Sequence, residues 1–120
     1  MNAYLVDGVR TPTGSFGGTL SPIRTDDLAA HALSSLMNRH PELDAMAVGD
    51  VLMGCANQAG EDNRNVARMA SLLAGLPQEV PAETVNRLCA SGLAASVHAA
   101  RMLHMEDANV VLAGGVEHMT

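Results

Sequence analysis

Cys89 is the residue of this sequence with the clearest chemical potential. It lies in residues 86–92, whose sequence is NRLCASG, where a short β-prone run leads into an alanine-rich stretch. A helix N-terminus presents free backbone N–H groups and a partial positive charge, and both stabilise a thiolate. The pattern therefore predicts a nucleophilic thiol at the start of a helix. A small buried hydrophobic residue is the commoner role of a free cysteine, and the local pattern leaves that alternative open.

A nucleophilic thiol needs a general base, and histidine is the usual one. His98 lies nine residues after Cys89 on the same predicted helix, which separates them by about 13 Å and excludes a hydrogen bond. We expect the histidines of the first predicted helix and its end to be solvated, and only His118 could approach Cys89. The five histidines are His31, His40, His98, His104 and His118.

The second cysteine, Cys55, has no comparable sequence context, and we predict a buried structural thiol there. Two cysteines are too few for a disulfide framework or for a structural zinc site with the usual number of ligands. We therefore expect reduced thiols, no metal and no bound cofactor.

Strand-like and helix-like segments alternate along the chain, which favours an α/β fold with a mostly parallel sheet. Ligands of such sheets collect at the carboxyl ends of the strands, and Cys89 follows the third predicted strand. The third helix is apolar on nearly every side, so we expect a buried helix that starts at Cys89. The predicted order is βαβαβαβ. The strands are predicted at residues 3–9, 48–54, 82–86 and 109–113, and the helices at 26–38, 63–74 and 89–105.

The composition is that of one globular unit with an acidic surface. The chain has 120 residues, of which 48% are hydrophobic and only 2% aromatic, so its core must be built from small aliphatic side chains and methionine. A net charge of −6 and the absence of clustered arginines argue against a nucleic acid partner. No apolar run approaches the ~20 residues that span a membrane, and we expect a cytoplasmic protein.

Two motifs resemble those of the thiolase family. Residues 86–92 (NRLCASG) resemble the acyl-enzyme motif of thiolases, and residues 113–119 (AGGVEHM) resemble the Gly-Gly-Val-Glu-Ser/His-Met segment that follows it. Residues 10–12, 16–18 and 54–77 are also similar, so the resemblance covers the whole chain. Ketoacyl synthases and related condensing enzymes also place a cysteine at a helix start, but residues 86–88 and 114–117 favour a thiolase.

The resemblance implies an acyltransferase. The Cys89 thiolate would attack a 3-oxoacyl-CoA, release acetyl-CoA and carry the shortened acyl group until coenzyme A accepts it as a substrate. The backbone N–H of Cys89 would be a donor to the acyl-thioester oxyanion. Residues 54–70 look most like degradative thiolases that cleave 3-oxoadipyl-CoA. The third strand lies at the dimer interface of thiolases, which implies a homo-oligomer formed through the strand from Ala82 to Asn86.

Thiolases take their base and acid from Gly-His-Pro and Cys-Gly-Gly segments, and their enolate site from an Asn-Glu-Ala-Phe segment. None of the three occurs in this sequence. Residues 1–120 therefore resemble the first part of a thiolase N-terminal domain, with the loop domain and the C-terminal domain absent. We expect exposed apolar faces and a marginally stable or aggregating monomer. The alternative to an enzyme segment is a catalytically incompetent fragment that acts only as an assembly or binding module.

Overall fold

Three parallel strands form the centre of this α/β fold, in a computed structural model that describes residues 2–120. The sheet order is β2-β1-β3, and β1 pairs in parallel with both neighbours. A 3₁₀ turn, Ala45–Ala47, leads into β1. The strands are β1 (Val48–Gly54), β2 (Ala82–Val85) and β3 (Val110–Gly115), and the helices are α1 (Thr25–Arg39), α2 (Val66–Leu73) and α3 (Ser91–His104). The predicted fold class is confirmed.

The alternation of side chains along β1 explains why helices cover both faces of the sheet. Val51 and Met53 point to one face and join the core formed with α1 and α2, whereas Leu52 points to the other face and packs on α3. All three residues are buried. The apolar run from Val51 to Met53 is therefore required in this strand, because neither face meets solvent there.

The predicted first strand is wrong, and the sheet has three strands instead of four among the described residues. Residues 3–9 have no regular secondary structure, and the side chains of Tyr4, Leu5 and Val6 are exposed. This segment is bonded instead to the end of α1, where Arg39 donates to the Gly8 carbonyl. The Gly8 carbonyl therefore bonds to a side chain at the end of α1, and residues 3–9 form no ladder of backbone hydrogen bonds with another strand.

Two helices begin later than predicted. Asn65 caps α2, since its side-chain oxygen accepts from the Arg68 N–H, so this helix starts at Val66. The third helix starts at Ser91 and not at Cys89, because Cys89 belongs to the turn that follows Leu88, and Ala90, with φ of −94° and ψ of 7°, is the N-cap.

The prediction that α3 is buried on several sides is also corrected. Ser91, Ala95 and Ala99 are buried, but Leu93 and Val97 on other sides of the helix are exposed. The reason is that α3 is the one helix of residues 2–120 on its side of the sheet, so only its inner face is covered. Among the helices of residues 2–120, none combines the length and the apolar character that a membrane span needs.

Candidate functional site

Cys89 lies in a tight turn that joins the end of β2 to the start of α3. Leu88, in the middle of this turn, adopts a left-handed conformation with φ of 52°. Its backbone N–H donates to Oδ1 of Asn86 at 3.0 Å. The turn places Cys89 at the carboxyl edge of the sheet, two residues before the first helical residue, and its side chain is exposed. The prediction that the helix starts at Cys89 is thus corrected by two residues, and Cys89 lies just before the helix start.

The side chain of Ser91 closes this turn from the helix side. Its hydroxyl accepts from the Arg87 N–H at 2.8 Å and donates to the Leu88 carbonyl at 2.6 Å. Two backbone bonds of 3.1 Å reinforce these contacts, from Ala90 N to Arg87 O and from Ser91 N to Leu88 O. Ser91 is 4% exposed, so the hydroxyl is a buried and fully used hydrogen-bonding group.

Glycines at the ends of β1 and β3 allow the start of α3 to approach the sheet. A Cβ atom built on Gly54 would overlap the backbone of Ser91 and Gly92, and one built on Gly115 would lie 3.1 Å from the Gly54 carbonyl oxygen. Only glycine fits at Gly54, because backbone atoms cannot move aside as a side chain can. The turn that carries Cys89 thus rests directly on the carboxyl end of the central strand.

Glu117 joins the segment after β3 to the loop after β1. Its Oε1 accepts from the backbone N–H groups of Ala56 at 2.6 Å and Asn57 at 2.7 Å. The backbone of Val116 also donates to the Gly54 carbonyl at 3.0 Å. These contacts hold the two loops at the same edge of the sheet as Cys89.

Sequence reasoning did not assign roles to Ser91, Gly54 or Glu117. The available signals were a serine just after a candidate nucleophile, a glycine directly after the apolar run of a predicted strand, and a carboxylate just after another strand.

Cys55 is buried and is not part of the exposed site. Burial raises the pKa of its thiol to about 11, and the nearby Glu117 carboxylate acts in the same direction. Its Sγ donates to the Asn57 carbonyl at 3.5 Å. The prediction of a structural thiol is confirmed.

The His118 ring supports the loops. It is buried, its Nε2 lies 3.0 Å from the Ile23 carbonyl oxygen, and its Nδ1 accepts from the Thr120 N–H at 3.4 Å. The proton is therefore on Nε2, and both ring nitrogens are engaged with the backbone. This arrangement fixes the segment before α1 against residues 57–59, where His118 also forms an isolated bridge with Gln58.

The other histidines lie on helices or at their ends, as predicted. His98 of α3 lies 3.7 Å from the Glu83 carboxylate of β2, and His40 lies 2.8 Å from Asp7. His31 and His104 are exposed residues of α1 and α3. The residues 2–120 contain no group of three or more side chains that could hold a metal ion.

The family model described as "Thiolase, N-terminal domain" matches residues 3–120. A crystal structure of the Bacillus anthracis acetyl-CoA acetyltransferase superposes with a TM-score of 0.82 at 36% identity, and covers 90% of this chain and 27% of that chain.

Two curated relatives carry more specific names. The 3-oxoadipyl-CoA/3-oxo-5,6-dehydrosuberyl-CoA thiolase of Escherichia coli (strain K12) is 59% identical over 118 residues, or 98% of this chain and 29% of that protein. A beta-ketoadipyl-CoA thiolase of Acinetobacter baylyi is 55% identical over 119 residues, or 99% of this chain and 30% of that protein. The chain thus spans about 30% of the length of the curated relatives that it matches.

Proposed function

The chain belongs to the thiolase family, and from this premise we propose that it is the acyl-accepting segment of a thiolase. The observation that carries the proposal is the exposed Cys89, which lies in the NRLCASG turn at the start of α3. The buried Cys55 offers no competing nucleophile, because its thiol has a raised pKa and little access to solvent.

In the proposed reaction, the Cys89 thiolate forms a bond to the C3 carbonyl carbon of a 3-oxoacyl-CoA. The C2–C3 bond breaks, its electron pair passes to an acetyl-CoA enolate, and the enolate takes up a proton from an acid outside residues 1–120. The thiolate of coenzyme A then attacks the acyl-Cys89 thioester, and the Cys89 thiolate departs. The Cys89 N–H, at the helix start, is the proposed donor to the thioester oxyanion. Coenzyme A is a substrate in this scheme, and no bound cofactor is required.

We further propose 3-oxoadipyl-CoA as the substrate. The support is the naming of the relatives, since the Escherichia coli and Acinetobacter baylyi proteins are named for 3-oxoadipyl-CoA or beta-ketoadipyl-CoA cleavage. The experiment compares 3-oxoadipyl-CoA with acetoacetyl-CoA in steady-state assays of a version extended to the length of these relatives. A clear preference for 3-oxoadipyl-CoA is expected, and equal use of both substrates would remove the proposal.

Acylation of Cys89 tests the reaction directly. The chain is incubated with acetyl-CoA or 3-oxoadipyl-CoA, alone and with a separately expressed C-terminal thiolase fragment, and is then analysed by peptide mass spectrometry. We expect an acyl group on Cys89, at a higher rate when the fragment is present. Cys89→Ser, which keeps Cys55, is the matched control and should give no label. Absence of the label under both conditions would exclude Cys89 as the acyl carrier in this chain.

A second candidate function is assembly without turnover, and the position of β2 favours it. This strand lies at the edge of the sheet and pairs only with β1 among residues 2–120. An open edge can add a strand from a second copy, and we propose a homo-oligomer formed there. Thr84→Pro removes one backbone N–H from β2, and sedimentation velocity should then show a smaller species than Thr13→Pro, a control in the N-terminal loop.

We also propose a cytoplasmic location and no nucleic acid or membrane partner. The support is the net charge of −6, which repels phosphate backbones and anionic lipids alike. Binding to DNA or to anionic vesicles in low salt would contradict this proposal.

A further inference from the structure

The turn before Cys89 is held in a conformation that its own residues disfavour. Leu88 has a positive φ of 52°, which costs a residue with a branched side chain about 1 kcal/mol or more. Its side chain is 72% exposed, so burial of this leucine does not offset the cost. Hydrogen bonds to the turn must therefore hold it in place, and two side chains supply them, those of Asn86 and Ser91.

Ser91 differs from Asn86 because it is anchored to the sheet. It is 4% exposed, and its backbone lies against Gly54 at a distance that admits no Cβ atom. Its hydroxyl reaches back to the Arg87 N–H and the Leu88 carbonyl, the two residues immediately before Cys89. Ser91 thus contacts the central strand through its backbone and the turn through its hydroxyl.

We propose that Ser91 is a positioning residue for the Cys89 thiol. This inference rests on the proposed role of Cys89 as the acyl carrier. The hydroxyl fixes the direction in which the turn presents Cys89, so that the sulfur and the Cys89 N–H meet the same acyl group. Without it, the Arg87 N–H loses its partner, Leu88 is free to leave the left-handed region, and the sulfur is no longer aligned with the N–H.

The test separates alignment from simple access. Acyl transfer from a small thioester, p-nitrothiophenyl acetate, is accelerated by an oxyanion donor aligned with the sulfur, whereas the rate of alkylation by iodoacetamide depends only on an accessible thiol. Both rates at Cys89 are measured by peptide mass spectrometry on the whole chain, and their ratio is compared between variants. The variants are Ser91→Ala, Ser91→Thr and Ser96→Ala. Ser96→Ala is the matched control, because its hydroxyl donates to the Gly92 carbonyl on the same helix but does not touch the turn.

We expect Ser91→Ala to lower the ratio of acylation to alkylation about tenfold, less than the ~10²-fold or more that complete loss of an oxyanion donor costs. Ser91→Thr, which keeps the hydroxyl, should restore most of the ratio, and Ser96→Ala should leave it unchanged. An unchanged ratio in Ser91→Ala would overturn the proposal. Alkylation of the buried Cys55 as fast as that of Cys89 in Ser91→Ala would also overturn the proposal. It would show that loss of the hydroxyl unfolds the chain instead of misaligning Cys89. The small thioester also keeps this test separate from the proposed function, since failure of acyl-CoA to label Cys89 would leave the measured ratio intact.

Discussion

The two cysteines have the same chemistry but opposite surroundings. Cys89 is exposed in a turn, whereas Cys55 is buried and its pKa is raised to about 11. We therefore expect iodoacetamide at pH 8 to modify Cys89 and to leave Cys55 intact in the folded chain. Peptide mapping before and after unfolding in urea measures this, and modification of both thiols at similar rates in the folded state would contradict it.

The raised pKa of Cys55 also makes the stability depend on pH. The unfolded thiol loses its proton near its ordinary value of 9.0, whereas the folded thiol keeps its proton until about pH 11. The contribution of Cys55 is therefore complete below pH 9.0 and is lost as the pH rises from 9.0 to about 11. The sequence has no lysine, so few other groups titrate in this range. Urea unfolding between pH 8 and pH 11 should show the loss, and Cys55→Ala should reduce it.

The roles of individual residues were predictable from sequence only where the residue carries its own signal. The helix-start motif around Cys89 is local, and so is the contrast with Cys55. Glu117 acts on backbone groups of another segment, because its carboxylate reaches N–H groups about 60 residues away in the chain. Such contacts depend on which strands are neighbours, which the sequence pattern did not specify.

At the scale of elements, the close approach of β1 and α3 is the most demanding contact. Gly54→Ala would place a methyl group in the backbone of Ser91 and Gly92, so we expect the free energy of unfolding to fall by about 3 kcal/mol. Gly92→Ala is the control, because its nearest neighbour would lie 4.0 Å away and alanine favours the helix. Urea unfolding, monitored by circular dichroism, compares the stabilities of these two variants. Equal stabilities would contradict the prediction, because α3 would then move away from Gly54 without a cost in free energy.

A second contact between elements joins the N-terminal segment to the end of α1. Asp7 lies 2.8 Å from Nε2 of His40 and 3.3 Å from Arg39, and Glu42 lies 3.2 Å from Nδ1 of His40. The hydrogen bond to Asp7, and then that to Glu42, raises the pKa of His40 above 6.5. The hydrogen bond from His40 lowers the pKa of Asp7 below 3.8.

These directions predict when the contact is strongest. The contribution of His40 is complete below pH 6.5 and is lost as the pH rises through its higher folded pKa, whereas that of Asp7 is lost only as the pH falls below 3.8. We expect amides of residues 3–9 to be better protected from hydrogen exchange at pH 5.5 than at pH 8.5, after correction for intrinsic rates. His40→Gln should abolish the difference and His31→Gln should preserve it. Equal protection at both pH values would contradict the prediction.

Helices and strands were predicted correctly where the pattern of apolar residues in the sequence matches the pattern of buried side chains. Residues 48–54 were predicted as a strand and form β1, in which the buried apolar residues Val51, Leu52 and Met53 cover both faces. The predicted strand at residues 3–9 has an equally apolar start, but Asp7 and Gly8 bond to the end of α1. Propensity could not reveal that competing tertiary contact.

At the scale of the whole molecule, the outer side of α3 is an exposed apolar surface of the described residues. Leu93 is 70% exposed and Val97 is 38% exposed, and their spacing of four residues puts them on one side of the helix. We expect the chain to self-associate at micromolar concentrations. Analytical ultracentrifugation should show less association for Leu93→Lys/Val97→Lys than for Met46→Lys, a control at another exposed apolar residue. A stable monomer of the unmodified chain would refute this expectation.

The sheet order also has a consequence for the way the chain folds as it is synthesised. The central strand β1 pairs with β3, and partners such as Val51 and Leu112 are roughly 60 residues apart, a separation that slows folding. During translation, β1 and β2 with the turn of Cys89 leave the ribosome before β3 does. The Gly54 backbone, on which that turn rests, then has a strand neighbour on one side only. The Cys89 turn thus emerges early, whereas the contacts that Gly115 makes with Gly54 and Gly92 form only after the residues of β3 have emerged.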